Sequence, residues 1–248
     1  MNIRLFTLAN ILTLINAFCG CCAVVLIVQG YASEAFYFTI VSLVADFFDG
    51  FAARKFGGGG SDLGKQLDSL ADVISFGIVP ATIFYSLLRN YTMGIDENQL
   101  VSILLPAGAF ILTLFAVLRL AKFNIDTRQG EEFIGLATPA MTLFVIGYLA
   151  ICNDSTTFLS SIFQNIWSII FTIIMLSYLM IAEIPMFSFK FKSFALKGNE
   201  IRYMFILISI VLLILFHIQA FAFIILLYII ISLFQFFTKN KISKTNQS

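Results

Sequence analysis

An all-α, polytopic bundle of about eight membrane-spanning helices is the fold this sequence predicts. Of its 248 residues, 60% are apolar and only 12% are charged. The apolar runs are long enough to cross a hydrocarbon core of about 30 Å. The basic residues gather in alternate connections, as they do when one side of a membrane is favoured.

Spans are expected near residues 8–29, 35–53, 66–88, 99–121, 136–152, 162–186, 203–217 and 220–237. The first run is too long for a removable leader and lacks a small-residue cleavage pattern, so it counts as a true span. Between the second and third lies Lys55 to Leu63, with four successive glycines, Gly57 to Gly60. That link makes the two helices antiparallel neighbours. The fourth to sixth are apolar runs bounded by the basic segments around Arg119 to Arg128 and Lys190 to Arg202. The stretch from Met204 to Phe237 is too long for one span and short for two, and is broken at His217 and Gln219. It reads as a tight hairpin appended to a six-helix core, all within a single domain covering 1–248.

Charge placement supports this order. Arg4, Arg54, Lys55, Lys65, Arg119, Lys122, Arg128, Lys190, Lys192, Lys197, Arg202, Lys239, Lys241 and Lys244 fall on one side, and only Arg89 on the other. Both termini are then cytoplasmic in a multi-pass cell membrane, a bacterial or archaeal inner membrane. The net charge of +1 argues against a nucleic-acid partner. Cys19, Cys21, Cys22 and Cys152 sit in or beside apolar runs and read as packing residues, not as a disulfide framework.

Four carboxylates interrupt this apolar pattern: Asp46 and Asp49 near the end of the second span, Asp68 and Asp72 near the start of the third. Each costs roughly 2.5 to 3.5 kcal/mol at the centre of a spanning helix, so four idle ones would cost on the order of 10 kcal/mol. A bound cation offsets that. At 100° per residue, Asp46, Asp49, Gly50, Ala53 and Arg54 cover an arc of about 140°, and Gly64, Asp68 and Asp72 about 80° of the next helix. The carboxylates therefore converge. Oxygen donors without histidine or cysteine suit Mg²⁺ or Mn²⁺, as one ion or two, and magnesium pairs naturally with diphosphate. Gly50 and Ala53 admit close approach, and Arg54 offers a planar fork to a phosphate oxygen.

The pattern Asp46-x2-Asp49-Gly50-x2-Ala53-Arg54, then Gly64-x3-Asp68-x3-Asp72, resembles the signature of the CDP-alcohol phosphatidyltransferases, with one extra residue in the link. These are membrane enzymes that displace CMP from a CDP-linked lipid with an alcohol. The resemblance implies that Asp46, Asp49 and Asp68 ligate metal, that Asp72 is the general base and a further candidate ligand, and that Gly50, Ala53, Arg54 and Gly64 line the CDP site. It also implies a homodimer.

Asn10 to Gly20, Arg119 to Asn124, Phe133 to Ala140 and Ser188 to Lys190 resemble the accessory segments of the membrane-spanning phosphatidylserine synthases. That implies CDP-diacylglycerol as donor, L-serine as acceptor and surrounding membrane lipids as partners. Asn10, Arg119, Lys122, Asn124 and Lys190 are then candidates for holding the acceptor or a lipid phosphate, since serine carries a carboxylate that needs a cation. The alternatives are another acceptor, glycerol 3-phosphate or an inositol phosphate, for which five arginines are few, and a cation transporter, which leaves Gly50, Ala53 and Arg54 unexplained. The single histidine, His217, excludes the phospholipase-D-like synthases, which need two histidine motifs.

Overall fold

The computed structural model describes residues 5–56, 62–92, 99–126, 133–187, 196 and 198–245. The tetraglycine link and Lys190 lie outside them. Two compact units are present, Met1–Ile125 with Asn165–Ser177, and Asp126–Gln164 with Tyr178–Ser248.

In the first unit, α1 (Leu8–Val28) starts at Thr7, whose hydroxyl accepts from the Asn10 amide at 3.2 Å. Such a cap is worth about 1 kcal/mol. Its end is fixed by Gly30 at φ +88°, with Tyr31 N–H bonded to Leu26 O at 2.8 Å and Gly30 N–H to Ile27 O at 3.0 Å. This pair of bonds satisfies the last carbonyls and turns the chain sharply into α2 (Ala32–Phe56). Arg54 and Lys55 occupy the last turn of α2, where they complement the negative end of its dipole.

The third expected span is one continuous helical run, α3 (Asp62–Asp72), a π-helical segment (Val73–Ile78) and α4 (Val79–Thr92). The wide segment has a local cause. Pro80 brings no N–H, so the ladder is rearranged there and Val79 N–H reaches back to Ile74 O. The Gly77 carbonyl takes the Thr113 hydroxyl at 2.9 Å. Pro106 lies inside α5 (Gln99–Ala107) and precedes a 3₁₀ turn at Gly108–Phe110, after which α6 (Ile111–Ile125) begins.

Packing between apolar helices in lipid depends on close approach more than on water exclusion. Ala9, Ala23, Ala45, Ala52, Ala71 and Ala116 are all buried. At Gly20 of α1 a β-carbon would lie 2.4 Å from Ser75 Oγ and 2.9 Å from Ser75 Cα. Gly20→Ala should therefore destabilise the protein by about 1–3 kcal/mol, read as a lower thermal midpoint in detergent.

The second unit contains β1 (Phe133–Ile134), α7 (Thr138–Cys152), α8 (Phe158–Phe163), the end of α9 (Ile166–Ile181), β2 (Pro185–Met186), α10 (Glu200–Phe216) and α11 (Ala220–Thr245). The two strands form a short antiparallel ladder, Phe133 opposite Met186 and Ile134 opposite Pro185. The expected hairpin is present: α10 and α11 fold back at a 3₁₀ turn, His217–Gln219, and Phe205 stands 6.4 Å from Tyr228 between ring centroids. His217 holds φ +48° at that tip. Gln219 donates to Asp154 at 2.8 Å, and the Thr156 hydroxyl donates to the same carboxylate at 2.6 Å. Thr156 first and Gln219 second hold the Asp154 carboxyl below its ordinary range.

Each expected span falls on helix, with differences. Among the described residues five segments are long and apolar enough to cross a membrane, the last being the whole α10–α11 hairpin, while α7 and α9 are apolar but only 15 and 16 residues long. The sixth ends at Ile181, not at 186, because Pro185 disfavours helix at the residue before it and the chain turns extended.

Candidate active site

Asp46 on α2 and Asp68 and Asp72 on α3 each present a carboxylate oxygen to a common point, all within 4.8 Å of one another. At an effective dielectric of about 20, each such pair of like charges repels by roughly 3–4 kcal/mol. A cation among them reverses the sign. Six-coordinate Mg²⁺ places opposite oxygens about 4.2 Å apart, so this all-oxygen cluster fits a hard divalent ion with small side-chain adjustments.

Asp49 stands beside the cluster and not in it. It is 4% exposed, and the Thr13 hydroxyl lies 2.7 Å from its Oδ2. Together with Asn10, Gly50, Ala53, Gly64 and Asp68 it lines a cleft of about 220 Å³, to which Ala9, Thr13, Asp62 and Lys65 also contribute. The Arg54 guanidinium folds over Gly50, with Nη1 3.5 Å from where a β-carbon would sit. The cleft thus meets bare backbone at Gly50 and Gly64, with Asp49 on the α2 side and Asp62, Lys65 and Asp68 on the α3 side.

Among the acceptor candidates, Asn10 donates its amide to Leu5 O at 2.9 Å, a tie that also steadies the start of α1. Arg119 of α6 is 8% exposed, stacks on Phe123 at 5.5 Å and acts electrostatically on Asp72. The Asn124 side-chain amide donates to Ser69 Oγ at 2.7 Å, and the Asn124 backbone carbonyl accepts from Lys65 Nζ at 2.6 Å. This joins α6 to α3 and engages Asn124 in the scaffold. Lys122 lies on the last turn of α6.

Sequence reasoning did not single out Thr13, Asn16, Ser42, Ser75, Asp62 or Lys65. A signal was there. Ser42, Asp46 and Asp49 repeat at i, i+4, i+7, and so do Asp68, Asp72 and Ser75, so each serine extends an acidic stripe by one turn. Asn10, Thr13 and Asn16 make a matching polar stripe along the otherwise apolar α1.

The model of the CDP-alcohol phosphatidyltransferases matches residues 6–181, which contain the whole cleft and cluster. The chain is 32% identical over 174 residues to the CDP-diacylglycerol–serine O-phosphatidyltransferase of Methanocaldococcus jannaschii, covering 70% of this chain and 73% of the relative. It is 31% identical over 180 residues to the archaetidylserine synthase of Methanothermobacter thermautotrophicus, covering 71% and 68%. With a CDP-diacylglycerol–serine O-phosphatidyltransferase of Bacillus subtilis the identity is 34% over 139 residues, covering 55% and 73%. The aspartates, the glycines and the membrane helices that present them lie within one matched span, and the chain belongs to the CDP-alcohol phosphatidyltransferase family.

Proposed function

We propose that this enzyme transfers the phosphatidyl group of CDP-diacylglycerol to L-serine, giving phosphatidylserine and CMP. The observation that carries the acceptor is the buried Arg119 of α6, a cation whose charge reaches Asp72, the group proposed to activate the hydroxyl. A serine carboxylate on that guanidinium brings its own hydroxyl toward Asp72. Relatives named for serine transfer support the same choice.

In this reading the serine hydroxyl gives its proton to Asp72 as its oxygen bonds to the phosphorus carrying diacylglycerol. The bond from that phosphorus to the bridging oxygen breaks, and CMP departs with that oxygen. Arg54, over Gly50, holds a diphosphate oxygen, and Gly64 and Ala53 leave room for the CDP moiety. When bound by Asp46, Asp68 and Asp72, with Asp49 in support, Mg²⁺ or Mn²⁺ would neutralise the carboxylates and polarise the diphosphate. The cleft faces the cytoplasm in the orientation that the basic residues imply.

The deciding experiment supplies purified protein with CDP-diacylglycerol and Mg²⁺ or Mn²⁺, and measures CMP release with L-serine, glycerol 3-phosphate or an inositol phosphate in separate reactions. Release with serine alone is expected; release with another alcohol replaces the acceptor. A parallel reaction with a CDP-linked archaetidyl lipid tests the donor, since one relative is named for that lipid. Arg119→Ala should raise the serine KM about 30-fold, the size of effect expected when one partner of a buried charge pair is lost, while the KM for the liponucleotide stays within twofold. An unchanged serine KM moves the carboxylate contact to another residue.

A further inference from the structure

We propose that Asn16 is a positioning residue for Asp72, holding its carboxylate through a buried hydrogen-bonded hub that joins α1, α2 and the π-helical segment. The inference rests on the assignment of Asp72 as the proton acceptor and adds a residue to it. Asn16 lies in the middle of α1 and is fully buried. Its Nδ2 points at Asp72 Oδ1 at 3.5 Å, the long end of hydrogen-bond range. Such contacts tighten in the reacting complex.

The amide has one sensible orientation. Its Oδ1 accepts from the Ser42 hydroxyl of α2, so the NH₂ faces Asp72. A flipped amide would set its oxygen against a carboxylate. The same residue also holds the chain just after Asp72 through its backbone, because the Asn16 carbonyl accepts from Ser75 Oγ at 3.0 Å. Ser75 stands three residues after Asp72, within the wide π-helical turn. Ser42, Asn16 and Ser75 are each 0% exposed. Buried polar groups of this kind are retained at a cost unless fully paired, and here the pairing converges on one carboxylate.

The test is steady-state kinetics on Asn16→Leu, Ser42→Ala and the double variant, in purified, folded protein. Asn16→Leu should lower kcat about 10- to 100-fold, the range seen when a group that orients an active-site ligand is removed. The KM values for CDP-lipid and acceptor should stay within twofold. Ser42→Ala, which loosens Asn16 without touching Asp72, should lower kcat about fivefold in the native background and have no effect in the Asn16→Leu background. A purely architectural role would give additive losses, or a rise in KM with kcat intact, and either result overturns the proposal; so does an unchanged kcat. If Asn16→Leu does not fold, the kcat and KM of Ser42→Ala decide, an unchanged kcat overturning the proposal. CMP release with a different alcohol would change the acceptor yet leave the comparison intact, since the ratios are taken on whichever acceptor reacts. No CMP release with any acceptor would overturn both readings.

Discussion

Asp72→Asn is expected to lower turnover by about 10³-fold while CDP-lipid binding survives. The substitution keeps the size and one oxygen of the side chain but removes the capacity to take a proton, which general-base catalysis values at about 10²–10⁴-fold. Binding should persist because the cleft is lined by Asp49, Gly50, Ala53 and Gly64 and not by Asp72. The measurement pairs single-turnover CMP release with equilibrium binding of the liponucleotide. Turnover within tenfold of the native enzyme would remove Asp72 as the base and leave it a ligand.

Asp46→Ala should be as damaging, for a different reason. Asp46 is the one member of the three-carboxylate cluster supplied by α2, so its loss leaves the ligands of a single helix. Lewis-acid stabilisation of a transferring phosphoryl group is worth several kcal/mol, and about 4 kcal/mol corresponds to roughly 10³-fold. The expected signature is a fall in kcat/KM of that order, together with a higher Mn²⁺ concentration for half-maximal rate and partial recovery at saturating metal. An Asp46→Ala enzyme with native metal dependence would show that the cluster does not hold the ion.

The α2–α3 cluster was legible in the sequence because helical periodicity alone brings Asp46 onto one face and Asp68 and Asp72 onto another. The hairpin was legible at His217 and Gln219, polar residues in an apolar stretch. The π-helical segment was not, because Val73 to Ile78 looks like any apolar run and its cause, Pro80, lies outside it. Asn16 and Ser42 were missed for a related reason. An uncharged polar residue in a membrane helix carries little signal until its partner on another helix is known. The end of α9 was misjudged because apolar composition continues past Ile181 to the extended Pro185 and Met186, so hydropathy and helix part company there.

The wide turn after Asp72 also sets an angular phase. A ladder reaching back five residues instead of four accommodates an extra residue, and one residue is worth about 100° around the axis. The faces of α3 and α4 are therefore out of step by that amount along a single run. A chain one residue shorter between Val73 and Ile78 could close as ordinary α-helix. With α4 held by its buried Phe84 and Leu88, the loss would be taken up by rotation of α3. Asp68 and Asp72 would then swing off the point they share with Asp46, although neither residue had changed. Spacing along this run is as much a part of the site as the carboxylates are.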